Sequence, residues 1–159
     1  MKAPNNLTQP FYWLLLCISL LTLTACAPRV DANLARAANI NAQLVYAYLE
    51  EKHPQRAKDK VMLALTQAPR APNVLAAAGY YYAQTGQNKL ASRYYTQAIQ
   101  AAPTNGEYLN NYAVFLCETK HYKQAIRYFK RAAEIPNYAN AQQAHRNAVL
   151  CYKSIKQPQ

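Results

Sequence analysis

Acidic residues are scarce in this chain: seven aspartates and glutamates stand against eighteen lysines and arginines, for a formal charge of +11. So few carboxylates leave little for paired general acid–base work, and no paired acidic motif occurs. Glycine is scarcer still, at three in 159 residues. No Gly-rich phosphate loop is present, and neither a GxSxG nor an HExxH pattern occurs. Cys117, His121, His145 and Cys151 bring together metal-ligating types, but their spacings match no common zinc finger. No nucleophile motif surrounds either cysteine, which argues against a catalytic or redox thiol. No catalytic residue, metal site or small-molecule substrate is therefore expected, and the chain is not read as an enzyme. The basic balance permits contact with nucleic acid or an anionic membrane. DNA binding requires a recognised module or a dense basic stripe aimed at one groove. The nearest candidate is Lys123, Arg127 and Arg131 at i, i+4 and i+8, which reads as a solvated helix face, so no nucleic-acid partner is expected.

What the chain does have is internal repetition. Residues Gly106 to Ala139 form two helical patterns joined by a short polar break at Glu118–His121, and the stretch overlays itself when moved back by 34 residues. Ala125 falls on Ala91 and then Ala57, Phe129 on Tyr95 and Val61, Ala132 on Ala98 and Ala64, and Pro103 on Pro69. A helix–turn–helix period of this length is the tetratricopeptide signature. Small residues are needed where the two helices of a unit cross and where one unit meets the next. Gly79 takes the small-residue place in the first helix of the second unit, with Val45 and Ala113 in the equivalent places. Pro69 and Pro103 close the second helices, because proline cannot continue an established turn. The expected fold is all-α, a tetratricopeptide-repeat superhelix of about three repeats plus a C-terminal capping helix. Repeats run 38–71, 72–105 and 106–139 within a domain spanning 38–159. The third unit departs from register, with its proline at Pro136. The last helix, about 141–155, resembles the first half of a fourth unit shifted by about two residues. Single units cannot bury their apolar faces, so stability comes from stacking neighbours.

The N-terminus reads differently. Phe11 to Leu23 is an apolar run interrupted by Ser19 and Thr22, short for a bilayer span and suited to a signal peptide. It ends in Leu23-Thr24-Ala25-Cys26, which resembles the lipobox of bacterial lipoproteins. Residues 1–25 are thus expected to be a lipoprotein signal peptide. Cys26 would carry the covalent diacylglycerol and N-acyl lipid, with no other cofactor, and 26–37 would form a tether. Several acyl chains make a stable anchor. With Ala27 rather than aspartate after the cysteine, resemblance to enterobacterial sorting implies the outer membrane, on its periplasmic face.

By repeat position, the concave face of the array should present Asn39, Gln43 and Tyr46 from the first unit. The second adds Asn73, Ala77, Tyr80 and Gln84, and the third Glu107, Asn110, Asn111 and Val114. Amides with aromatic anchors suit the docking of an extended or helical peptide. The basic clamp that grips C-terminal carboxylates in chaperone-binding members is absent, since Ala76 and Tyr80 stand where a lysine and an asparagine would be wanted. Cys117 and Cys151 lie near corresponding places of first helices that run side by side. In an oxidising compartment such a pair forms a bridge; two buried free thiols are the alternative.

A narrower resemblance rests on Asn110-Asn111-Tyr112-Ala113-Val114-Phe115-Leu116-Cys117. With the lipobox, Tyr122 and Ala125, Pro136 and Tyr138, and Cys151 after Asn147, it is similar to the type IV pilus biogenesis and stability lipoproteins, the PilF/PilW family. Ala113 replaces that family's usual glycine. The resemblance implies a pilotin-like role: an outer-membrane lipoprotein whose repeats contact the pilus secretin and support its multimerisation, and with it pilus biogenesis. A tetratricopeptide scaffold for outer-membrane protein assembly or for cell-wall enzyme complexes is the alternative, sharing the anchor and the repeats.

Overall fold

Proline and asparagine punctuate the helices of the computed structural model, which describes residues 31–156. Among those residues there are seven helices and no strand: α1 (Ala32–Glu50), α2 (Pro54–Gln67), α3 (Pro72–Gln84), α4 (Asn88–Ala101), α5 (Gly106–Glu118), α6 (Tyr122–Ala133) and α7 (Ala141–Lys156). Pro54 and Pro72 occupy first helical positions, where a missing N–H costs nothing. Asn105 caps α5 by accepting from the Tyr108 backbone N–H at 3.1 Å. The helices α2 and α4 stop two residues before Pro69 and Pro103, since a residue preceding proline is pushed out of the helical region. Among the described residues no helix is long and apolar enough to cross a membrane.

The turn from first to second helix has one chemistry throughout. Lys52, Gly86 and Lys120, one period apart, all adopt the left-handed conformation, with φ of 59°, 74° and 64°. In each turn the following N–H reaches back to close the helix end: His53 to the Tyr48 carbonyl, Gln87 to Tyr82 and His121 to Leu116, at 2.7–2.8 Å. This is the Schellman arrangement, which satisfies carbonyls that the helix end would leave orphaned. Glycine suits the position best, and the two lysines hold it at some steric cost.

Each first helix lies against its own second helix, and α1, α3, α5 and α7 also touch one another in succession. Among the described residues no contact joins α2 to α4 or α4 to α6. The first helices are therefore the crowded inner layer of the array and the second helices its splayed outer layer, as in a tetratricopeptide superhelix. The core runs along the seam between the layers. Asn41 is a buried polar residue there, and its amide donates to the Gln67 side chain at 3.0 Å.

Three differences from the sequence reading concern the ends of elements and the groove. First, α1 begins at Ala32, inside the stretch 26–37 assigned to a tether. Asp31 caps it by accepting from the Asn33 N–H at 2.8 Å, and the alanine-rich sequence that follows has high helix propensity. The expected signal segment and Cys26 lie outside the described residues. Second, α6 stops at Ala133, and Asn137 takes a left-handed φ of 61° that asparagine tolerates. The link then folds back so that Tyr138 covers Gly106; a methyl built there would lie 2.5 Å from the ring. In α7 the buried Ala144, Ala148 and Cys151 take the places of Leu109, Ala113 and Leu116. That offset is one residue beyond the period rather than two. Third, Ala77 is 0% exposed, so it cannot line a groove. It packs in one cluster with Ala38, Ala42 and Val45 of α1, where its smallness lets α1 and α3 approach.

Gly79 marks the tightest crossing, because a methyl group there would lie 2.8 Å from the ring of the fully buried Tyr95. Gly79→Ala should gain about 1 kcal/mol of helix propensity but lose about 1–3 kcal/mol to overpacking. A net loss in urea unfolding is expected; a stabilised variant would show that Tyr95 has room to move.

Candidate functional site

The concave layer is built by residues that recur at the repeat period. Asn73 in α3 donates its side-chain amide to the Asn39 Oδ1 of α1 at 2.8 Å, across a separation of 34 residues. At the same separation, the rings of Tyr46 and Tyr80 lie 5.0 Å apart at an interplanar angle of 33°. Glu107 and Val114 occupy the equivalent places on α5. Asn110 is engaged elsewhere: its Oδ1 accepts from the Asn147 amide of α7 at 3.2 Å, so it fastens the last helix. Asn111 instead joins Tyr80, Gln84, Val114 and Glu118 around a cleft of about 60 Å³. That volume admits the end of one side chain rather than a small molecule. Gln43, Gln84, Asn39 and Glu107 are exposed along the face, and Tyr46 and Tyr80 are half-buried.

Two carboxylates on this face escaped the sequence reading. Glu50 follows Asn39, Gln43 and Tyr46 along α1, and Glu118 follows Glu107, Asn111 and Val114 along α5. Each lies three turns from the start of its row, where helical geometry returns a side chain to the same face. That spacing was the available signal. Burial, then Glu50 and Glu118, raises the Tyr80 phenol above its ordinary value. The Tyr46 phenol is raised far more, first by burial and then by Glu107. Tyr95 is raised as strongly, by burial and then by Tyr46, Tyr80 and Glu118. These phenols stay neutral hydrogen-bond donors at any physiological pH. Although much of the Glu118 side chain is exposed, burial of the part in the cleft lifts its carboxyl above the usual range.

The cations are concentrated on the second helices. Helices α2, α4 and α6 carry Arg56, Lys58, Lys60, Lys89, Arg93, Lys123, Arg127, Lys130 and Arg131, with Asp59 as their single acid. Helices α1, α3 and α5 carry Glu50, Glu107 and Glu118 with Arg36, and α7 adds Arg146, Lys153 and Lys156. Lys89 and Lys120 line a cleft with Glu118. At the end of the concave layer, Cys117 of α5 and Cys151 of α7 are joined by a disulfide with a Cα separation of 5.9 Å. Among the described residues no group of histidine, cysteine and acidic side chains is placed to hold a metal ion.

Comparison with known proteins places this geometry among relatives. The family described as "Protein of unknown function (DUF1347)" matches residues 59–159. An uncharacterized protein of Haemophilus influenzae is 32% identical over 135 residues, covering 84% of this chain and 75% of its own length. Among solved structures, that reported under the functional characterization of Pseudomonas aeruginosa PilF superposes with a TM-score of 0.72 at 27% identity, over 79% of this chain. The chain spans 57% of the length of that PilF chain. A MamA mutant shares the fold, with a TM-score of 0.55 at 20% identity over 94% of this chain and 82% of its own.

Two outcomes follow from the site. Cys151→Ser should cost about 2–4 kcal/mol through the opened loop and raise amide exchange in α7; unchanged stability and exchange would show that the bridge does not hold that helix. For Glu118, the native carboxyl keeps its proton to a higher pH than the unfolded one. Its stabilising contribution is therefore fully present below the unfolded value of 4.5 and is lost as pH rises through the raised native value. Glu118→Gln should melt above the parent at pH 7, with the difference shrinking as the pH is lowered to 4.5. A difference of the opposite sign, or one indifferent to pH, would contradict this.

Proposed function

We propose that the chain, which belongs to the DUF1347 family, is an outer-membrane lipoprotein that supports assembly of a type IV pilus secretin by holding a segment of its partner in the concave groove. The observation that carries this reading is the likeness to Pseudomonas aeruginosa PilF, at a TM-score of 0.72 and 27% identity. The Asn110–Cys117 run, resembling the pilus biogenesis lipoproteins, and the bridge from Cys117 to Cys151 support the same reading. The proposed division of labour is physical. A lipidated Cys26 would hold the array at the membrane with several acyl chains. The repeats would supply a rigid surface on which a partner segment docks at little conformational cost to the receptor. The disulfide and the Asn110–Asn147 bond, which fasten α7 to α5, keep the open end of the groove from fraying. No chemical step is assigned to the chain.

The test is genetic. Deleting the gene, or replacing Cys26 with alanine, should reduce heat-resistant secretin multimers on immunoblots of outer membranes while secretin monomer is still made. Multimers at parental levels in the deletion strain would overturn the pilus reading and favour a scaffold for outer-membrane protein assembly or cell-wall enzyme complexes.

A further inference from the structure

On the outer layer α2 and α4 splay apart, and they leave between them a groove of about 650 Å³. Beneath it lies a small apolar cluster of its own: Leu75, Ala76 and Ala98 are buried, whereas Leu65, Tyr94 and Tyr108 are only partly covered. The walls carry Arg70 from the link before α3, and Arg93, Gln97 and Gln100 from α4. Among the described residues no acidic side chain lines the groove, and neither guanidinium is hydrogen-bonded or ion-paired. One period further on the same positions hold different groups. Arg131 replaces Gln97 and lies over Tyr128, the equivalent of Tyr94, at 5.2 Å from the ring centroid. Glu134 replaces Gln100, and Thr104 replaces Arg70. The charges there are mixed and one cation is already engaged, whereas the α2–α4 groove joins an open apolar floor to two unpaired arginines. We infer that this groove is a docking surface for a partner segment that carries an apolar side chain flanked by aspartate or glutamate. It stands on the layer opposite the concave face and does not depend on what that face binds.

Floor and walls have separate tasks. An apolar side chain of the segment rests on Leu65 and Leu75, and taking that surface out of water supplies affinity. The amides of Gln97 and Gln100 match the backbone of an extended chain. Arg70 and Arg93 choose among segments, because a planar guanidinium offers a carboxylate two parallel N–H donors. A lysine-bearing segment would instead bring like charges together as it lost water. An anionic bilayer also carries negative charge, but a groove recessed between two helices suits a narrow segment better than a flat sheet of headgroups. Its volume lies in the range that takes several side chains.

The test uses fluorescence anisotropy with the full chain and short labelled peptides, in which leucine stands between glutamates, leucine between lysines, or glycine between glutamates. The leucine–glutamate peptide should bind, with affinity falling as salt is raised. The lysine peptide should not bind, and the glycine peptide should bind about tenfold more weakly. Arg70 and Arg93 are exposed, so Arg70→Gln/Arg93→Gln should keep its helical circular dichroism while weakening the leucine–glutamate peptide about tenfold or more. Either single substitution should act in the same direction. The control Lys123→Gln/Arg127→Gln/Arg131→Gln removes more charge from the outer layer outside the groove and should bind as the parent does. Equal binding of the glutamate and lysine peptides, indifference to the leucine, or parental affinity in the Arg70/Arg93 variants would overturn the inference. An equal loss in the control would also overturn it, by assigning the binding to net charge. Capture of phosphatidylglycerol vesicles that requires Arg70 and Arg93, with no peptide bound, would replace the segment by a membrane surface.

Discussion

Everything in this array depends on how closely the two helices of one unit can cross. The crossing is filled by a facing pair of positions, and their volumes trade against each other: Val45 with Val61, Gly79 with Tyr95, Ala113 with Phe129. All six are buried, with Tyr95 and Phe129 among the largest side chains in the core. Where one partner grows to an aromatic ring, the other shrinks to a methyl group or to nothing. Interiors are packed to crystal density, so the sum has to be kept even where the individual residues drift. A constant crossing is also what allows one turn, with one left-handed residue at Lys52, Gly86 or Lys120, to serve every unit.

From that constraint the concave layer follows. The first helices contact one another in series, and the second helices do not. Identical positions of successive units are thereby stacked along one face, and a single residue type repeated at the period becomes a row. The Asn39–Asn73 hydrogen bond and the Tyr46–Tyr80 ring contact are such rows of two. In the third unit the rows change character: Glu107 replaces asparagine and Val114 replaces tyrosine. The array ends by a different device. Among the described residues no helix follows α7 to cover its far side, and Val149, Leu150 and Ile155 are exposed. The last helix packs on α6, and a covalent bridge and Asn147 on Asn110 tie it to α5.

The period, the helix types and the small residues at the crossings were legible in the sequence because each is imposed by sterics that recur three times over. What recurs once was not. Repeat position puts Ala77 in the groove, but a helix flanked on both sides buries more than one stripe. In α3 the run from Val74 to Gly79 is buried without interruption. Repeat logic begins at residue 38, whereas helix propensity and the Asp31 cap extend α1 back to Ala32. The offset of α7 depended on how far the link at Asn137 folds back over Gly106, which no local pattern encodes. Glu50 and Glu118 were readable from their three-turn spacing.

The net charge locates nothing by itself. A total of +11 suggests anionic partners, and the residues that produce it lie mainly on the outer layer. At distances beyond the Debye length, about 8 Å in physiological salt, what remains of the field is that of the net charge and is weak. Closer in, the nearest side chains dominate: on the inner layer Glu50, Glu107 and Glu118 stand with Arg36 and with Arg146, Lys153 and Lys156 of α7. A sum over the chain therefore says little about the charges that a docked segment would meet.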